Sequence, residues 1–227
     1  MYKLVAFDAY GTLFDVYSMA ELAEVLFPTH GQALALMWRD RQIEYTRLVT
    51  MSDPDPAGSK YYLPFWELTL RSLRYVCKRM NLDLTADYEK RLMEQYAKLT
   101  TFDDSLKVLQ TIKEKGISTA ILSNGSREML ATVVESNGLK PYLDEVVTVE
   151  DIHLFKTIPQ VYELLLKTFP VKKEEVLFVS SNAWDALAAK WFGFDVFWVN
   201  RLGHPFEEIG EKPNYEGSSL SKVLEVI

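Results

Sequence analysis

Polar side chains stand directly after three short apolar runs of this sequence, and a lysine precedes a predicted helix start. Aspartate, lysine and small hydroxyl or amide side chains can together supply a nucleophile, a counter-charge and donors for an anion. Aspartate, serine and asparagine also cap helices, which is the simpler interpretation of any one of them. Their recurrence in four segments favours one shared site. The residues are Asp8, Ser123, Asn124, Lys156, Ser180, Ser181 and Asn182.

The alternation of apolar runs with amphipathic segments predicts the elements that would hold these side chains. It predicts strands over 4–7, 117–122, 146–149, 176–179 and 196–199, with helices between them. Parallel strands need crossover helices, so the pattern favours a Rossmann-like, doubly wound parallel α/β sheet. Ligands of such sheets bind beyond the carboxyl ends of the strands, where the polar residues stand.

Residues 16–99 have a different hydrophobic periodicity, with apolar residues at helical spacing and no convincing strand. We therefore predict an inserted helical-bundle cap domain over 16–99. The α/β core domain would comprise 1–15 and 100–227. An insertion that leaves from the carboxyl end of the first strand can close over the site as a lid.

The composition limits the partners and the compartment. The 25 lysine and arginine residues against 32 aspartate and glutamate residues give a net charge of −7, which argues against nucleic acid or a membrane as partner. One cysteine, Cys77, excludes an intramolecular disulfide and fits a reducing compartment. We expect a cytoplasmic protein.

The segments at the strand ends resemble the four signature segments of the haloacid dehalogenase superfamily, and more narrowly its L-2-haloacid dehalogenases. They are FDAYGTLFD at 7–15, LSNGS at 122–126, Lys156, and FVSSNAWD at 178–185. The run SSNAWD is far more specific than the opening motif, which the whole superfamily shares.

Two positions distinguish this chain from the phosphatases of that superfamily. Those enzymes need a second aspartate two residues after the nucleophile and an acidic cluster that holds Mg²⁺. Tyr10 and Ser181 stand at the two positions here. A halide leaves without a proton, so we predict no metal and no other cofactor. Two alternatives remain: a Mg²⁺-dependent phosphatase of small metabolites using Asp8 and Asp185, and a catalytically idle member that binds a carboxylate.

The resemblance implies hydrolysis of short (S)-2-haloalkanoic acids to (R)-2-hydroxyalkanoic acids and halide, with an aspartyl ester on Asp8 and inversion at C2. Lys156 would keep Asp8 ionised and Thr12 would orient it. Asp185 would position or deprotonate the water. The partners would be a small 2-halocarboxylate, halide and water, and the resemblance implies a homodimer.

The remaining roles that the resemblance implies concern binding. Asn182 and Ser180 would hold the hydrolytic water, Ser123 and Asn124 would bind the substrate carboxylate, and Arg39 would stabilise the halide. A small apolar pocket would be walled by Tyr10, Ile43, Phe65, Tyr162 and Trp184.

Two residues depart from the family pattern. Thr157 follows Lys156 where the family has proline, so the backbone beyond the lysine is expected to differ. Asp40 follows Arg39 where a neutral amide is expected, and it would partly offset the charge of the arginine.

Overall fold

The sheet contains six parallel strands in the order β3-β2-β1-β4-β5-β6, in a computed structural model that describes all 227 residues. The strands are β1 Leu4–Phe7, β2 Ser118–Ser123, β3 Glu145–Thr148, β4 Val176–Ser180, β5 Asp195–Val199 and β6 Tyr215–Gly217. Strand β1 is buried along its whole length, as its unbroken apolar run predicts for a central parallel strand. The predicted Rossmann-like sheet is confirmed.

Eight helices connect or cover the strands. They are α1 Met19–Leu26, α2 Gly31–Ser52, α3 Phe65–Arg79, α4 Ala86–Ala97, α5 Ser105–Glu114, α6 Arg127–Ser136, α7 Pro159–Thr168 and α8 Ala183–Phe192. Helix α8 ends where predicted, because Gly193 adopts a φ of 106° that side chains with a Cβ rarely reach.

The register of the sheet brings the polar strand ends to one edge. Phe7 of β1 pairs with Ile121 of β2 on one side and Val179 of β4 on the other. Asp8, the next residue, remains bound to this edge because its backbone N–H donates to the Val179 carbonyl oxygen at 2.9 Å. The side chains that follow β1, β2 and β4 therefore converge.

Helices α1 to α4 all lie between β1 and α5, within the predicted insertion, and no strand interrupts them. Their buried apolar side chains and those around the sheet form a single cluster of 55 residues. The helical block therefore packs directly on the sheet region. The domain boundaries at 15/16 and 99/100 stay a prediction.

The sixth strand was not predicted. Strand β6 has three residues, none of them fully buried, and it lacks an apolar run that would identify it in the sequence. It pairs only with β5, at the edge of the sheet. Of the eight helices, none combines the length and the apolar character needed to cross a membrane.

Candidate active site

Asp8 lies at the carboxyl end of β1 and is 5% exposed. Its Oδ1 accepts a hydrogen bond from the Lys156 ammonium at 2.9 Å. Its Oδ2 accepts from the Thr12 hydroxyl at 3.1 Å and from the Asn182 side-chain amide at 2.7 Å. Three donors, one of them charged, fix this carboxylate in one orientation.

Lys156 is a fully buried cation between two carboxylates. Its Nζ lies 2.9 Å from Asp8 Oδ1 and 2.9 Å from Asp185 Oδ2. Burial by itself lowers the pKa of Lys156, but the charges of Asp185 and Asp8 outweigh it, so the pKa lies above its ordinary value. The side chain therefore stays an ammonium and compensates the two acids.

Asp185 occupies the first turn of α8 and is completely buried. Besides Lys156, its carboxylate accepts hydrogen bonds from the Ser180 hydroxyl at 3.0 Å and the Tyr162 hydroxyl at 2.7 Å. Burial raises the pKa of Asp185 above its ordinary value; Lys156 opposes the shift and Asp8 adds to it. A carboxylate with a raised pKa is a better general base than an ordinary one.

Tyr162 lies between the aromatic core and Asp185. Its ring, on α7, is fully buried and packs against the core rings of Phe178, Phe192 and Phe194, while its hydroxyl contacts Asp185. Its predicted place in the wall of the substrate pocket stays a prediction. The inner face of α7 meets α8 and the core, which the periodicity of α7 alone does not reveal.

The loop after β2 is held by a hydrogen bond within the loop and by another to the backbone of Lys156. The Ser123 Oγ accepts from the Gly125 backbone N–H at 3.1 Å, and the Asn124 Oδ1 accepts from the Lys156 backbone N–H at 2.9 Å. A Cβ on Gly125 would come within 2.8 Å of the Tyr10 ring, so glycine allows the two segments to approach. The loop leads into the N-terminus of α6, where backbone N–H groups favour an anion.

Arg39 reaches the same region from α2. Its Nη1 donates to the Gln42 Oε1 at 2.7 Å and its Nη2 to the Tyr10 carbonyl oxygen at 3.2 Å. Both acceptors are neutral, and the guanidinium forms no ion pair with a carboxylate. Asp40 is exposed and forms no ion pair with Arg39, and the expectation that it partly offsets the charge of the arginine stays a prediction.

Tyr10 connects the sheet edge to the helical block. Its carbonyl oxygen accepts from both Arg39 and Asn182, the latter at 3.1 Å. Its buried ring stacks on Tyr96 at 5.6 Å and lies 6.0 Å from Phe65, and its hydroxyl has no partner within the protein. Tyr10 and Phe65 therefore form one mainly apolar surface between β1 and α3.

Ile43 and Trp184 lie outside this bonded network. Ile43 is buried on α2, and Trp184 is half-buried in the first turn of α8 with the Arg47 guanidinium 5.4 Å from its ring. Trp184 and Asn182 both line a cavity of about 270 Å³. The structure thus places these residues on elements that border the site without showing them in contact with Asp8.

The segment that carries Lys156 is also held by the helical block, which sequence reasoning missed. The Phe155 backbone N–H donates to the Thr50 hydroxyl at 2.9 Å, and the Ser59 N–H donates to the His153 carbonyl oxygen at 3.1 Å. The Tyr62 ring stacks on His153 at 4.5 Å. The one available signal was the position of Thr50 on the buried face of α2.

The donors at this site do not fit Mg²⁺. The Ser181 Oγ, at the position of a missing acid, donates to the Gly11 carbonyl oxygen at 2.8 Å. The two carboxylates that remain, Asp8 and Asp185, are both bound by Lys156. The structure contains no group of three His, Cys, Asp or Glu side chains close enough to share a metal ion, whereas Mg²⁺ prefers several oxygen ligands.

Comparison with known proteins agrees with this geometry. The haloacid dehalogenase-like hydrolase family matches residues 2–193. The (S)-2-haloacid dehalogenase of Pseudomonas sp. (strain YL) is 38% identical over 224 residues, covering 99% of this chain and 94% of the relative.

Two solved structures extend the comparison to the whole fold. The L-2-haloacid dehalogenase RSc1362 matches with a TM-score of 0.95 at 46% identity, over 99% of this chain and 98% of that one. The Xanthobacter autotrophicus L-2-haloacid dehalogenase, with chloropropionic acid covalently bound, matches with a TM-score of 0.89 at 31% identity, over 100% of this chain and 98% of that one. The chain therefore belongs to the haloacid dehalogenase-like hydrolases and, among them, to the family of (S)-2-haloacid dehalogenase enzymes.

Proposed function

We propose that this protein hydrolyses short (S)-2-haloalkanoic acids to (R)-2-hydroxyalkanoic acids and halide, through an aspartyl ester on Asp8 with inversion at C2. One observation carries the proposal. A buried carboxylate is held by three donors, and one of them, Asn182, shares the Tyr10 carbonyl oxygen with Arg39, a cation with only neutral partners. The first group suits a fixed nucleophile, and the second suits a departing anion.

In the first step an oxygen of Asp8 donates an electron pair to C2 of the substrate. The C2–halogen bond breaks, its electron pair leaves with the halide, and an ester joins Asp8 to C2. No proton is transferred, so Tyr10 in place of a general acid is compatible with the step. The relative from Xanthobacter, solved with chloropropionic acid covalently bound, supports a covalent route.

Binding would place C2 in line with Asp8. Ser123 ends β2, and Asn124 follows it in the loop that leads into the N-terminus of α6. Both would bind the substrate carboxylate. The guanidinium of Arg39 would stabilise the negative charge that develops on the halogen. The pocket walls would limit the length of the alkyl chain; they are Tyr10, Ile43, Phe65, Tyr162 and Trp184.

In the second step water attacks the ester carbonyl carbon of Asp8 rather than C2. Asp185, with its raised pKa, would accept a proton from this water, and Ser180 and Asn182 would hold the water in place. The acyl–oxygen bond breaks, the departing oxygen takes a proton, and Asp8 regains its carboxylate with one oxygen from water. Each turnover releases one halide ion and one proton.

The proposal is tested by incubating the protein with each enantiomer of 2-chloropropionate in EDTA and titrating chloride. We expect chloride from the (S) enantiomer alone, together with (R)-lactate. Absence of chloride from both enantiomers would overturn the proposal. Magnesium-dependent cleavage of p-nitrophenyl phosphate would instead support a phosphatase, and neither reaction would support an idle carboxylate-binding member.

A single turnover in ¹⁸O water with excess enzyme tests the ester. The label should enter the side chain of Asp8 and be absent from the first hydroxy acid formed. Label found directly in the hydroxy acid would mean that water attacks C2.

The assembly and the compartment remain predictions. The resemblance implies a homodimer, which light scattering of the purified protein tests, and the single cysteine fits a cytoplasmic location.

A further inference from the structure

Gln42 is a buried polar side chain at the junction of α2, α3 and α4, and it is 1% exposed. Its Nε2 donates to the Thr69 hydroxyl at 2.6 Å and lies 3.2 Å from the Tyr96 hydroxyl. Its Oε1 accepts from the Arg39 guanidinium at 2.7 Å. None of the assigned roles at the site includes this residue.

The orientation of the Gln42 amide is determined by Thr69. The Thr69 hydroxyl donates to the Phe65 carbonyl oxygen at 2.8 Å, and a hydroxyl has only one proton to donate. Thr69 must therefore accept from Gln42, which turns the amide nitrogen towards Thr69. The amide oxygen consequently faces Arg39, and it is the correct partner for a guanidinium.

The neutrality of this partner has an electrostatic consequence. An amide oxygen fixes the guanidinium without cancelling its charge, and the second acceptor, the Tyr10 carbonyl, is neutral as well. A carboxylate at the same place would form a charge-assisted pair inside a low-dielectric region. The electrostatic attraction between Arg39 and a second anion would then be much weaker.

We propose that Gln42 is a positioning residue that fixes Arg39 for the departing halide while leaving its positive charge uncompensated. The inference rests on the proposed function. It concerns the electrostatics around Arg39, and it makes the charge of residue 42, rather than its size, the decisive property.

The test compares Gln42→Glu, nearly equal in shape but charged, with Gln42→Met, which is neutral. Gln32→Glu on the exposed side of the same helix is the matched control for one added negative charge. The measured quantities are kcat and KM for (S)-2-chloropropionate and (S)-2-bromopropionate, and inhibition by added bromide.

We expect Gln42→Glu to lower kcat by about 100-fold, at the lower end of the loss seen when one stabilising contact to a developing charge is removed. The decrease should be larger for the chloro than for the bromo substrate, because chloride is the poorer leaving group and depends more on Arg39. Bromide inhibition should weaken more in Gln42→Glu than in Gln42→Met. Gln32→Glu should match the wild type.

Equal losses for both halogens with unchanged bromide inhibition would mean a merely structural role and would overturn the inference. A wild type that releases no halide would overturn the proposed function instead. In that case the inference is tested by measuring how much added bromide raises the Tm. Bromide should raise the Tm of the wild type and of Gln32→Glu, and it should leave the Tm of Gln42→Glu unchanged. Equal rises in all three, or none in the wild type, would overturn it.

Discussion

Two cations reach the site from different parts of the molecule, and their surroundings are opposite. Lys156, in the α/β part, is completely buried with a carboxylate at 2.9 Å on each side. Arg39, in the helical block, has only an amide and a carbonyl oxygen as acceptors. Pairing holds acids in place, whereas a cation without an anionic partner is available for an anion that arrives or forms.

The difference also has an energetic side. A buried ion pair is weak evidence for stability, but removal of one member leaves an uncompensated charge and is strongly destabilising. Arg39 is only half-buried, and a guanidinium is more weakly hydrated than an ammonium, so it tolerates neutral partners. We therefore expect Lys156 to matter for both folding and activity, and Arg39 for activity alone.

The largest effect is expected from Asp8→Asn, which removes the acid that Lys156 compensates at the reacting edge. Loss of a nucleophile should lower kcat by at least ~10⁴-fold, because an amide oxygen does not displace halide at a comparable rate. Halide titration measures the loss. Asp103→Asn, at an exposed loop position, is the control and should keep full activity.

The next prediction compares the loss of stability when each of the two cations is removed. Lys156→Met should lower the free energy of unfolding by about 3–5 kcal/mol, because Asp8 and Asp185 lose their shared cation. Arg39→Met should lower it by less than about 1 kcal/mol and yet reduce halide release strongly. Urea unfolding checks both values; equal destabilisation by the two variants would contradict the comparison. Lys156→Met combined with Asp185→Asn should recover part of the loss.

A smaller effect concerns the pH dependence. Asp185 must be ionised to accept a proton, so kcat should fall as the pH drops through the pKa of Asp185, which burial raises above the ordinary value of 3.8. The hydrogen bond from Tyr162 opposes that rise. Tyr162→Phe should therefore raise the pKa further and move the acidic limb of the kcat profile to higher pH. An unmoved limb would exclude Asp185 as the titrating base.

The smallest effect is expected at Asp40. Its side chain is exposed and makes no contact with Arg39, and exposed charges are screened by water and salt. Asp40→Asn should change kcat, KM and bromide inhibition by less than about twofold. A larger change, measured at low ionic strength, would show that this surface charge does reach the halide site.

The sequence located the polar side chains at the sheet edge because their positions follow from the strands. Apolar runs that end in Asp8, Ser123 and Ser180 specify where parallel strands stop, and the topology of such sheets brings those ends together. Helix boundaries were predictable for the same local reasons, such as Gly193 after α8. Strand β6 was not predicted because its three half-exposed residues form no apolar run.

The partners of the helical block were much less predictable. Positions 34, 38, 42, 46 and 50 form the buried face of α2, and the last three are Gln, Thr and Thr. Hydrophobic periodicity overlooks a polar stripe, so neither the Gln42 contact with Arg39 nor the Thr50 contact with Phe155 was foreseen. The contact of Tyr162 with Asp185 was not foreseen either, because an aromatic residue on a helix face can point to a pocket or to the core.

By itself the sequence determined five of the six strands, the acids and cations near the sheet edge, and the replacement of two phosphatase acids by Tyr10 and Ser181. These properties depend on local patterns and residue identity. Only the tertiary structure decided that Lys156 bridges Asp8 and Asp185 while Arg39 receives neutral partners. The 2.9 Å contact of Lys156 with Asp8 joins residues 148 positions apart, and its 2.9 Å contact with Asp185 joins residues 29 positions apart. No local pattern in the chain specifies either distance.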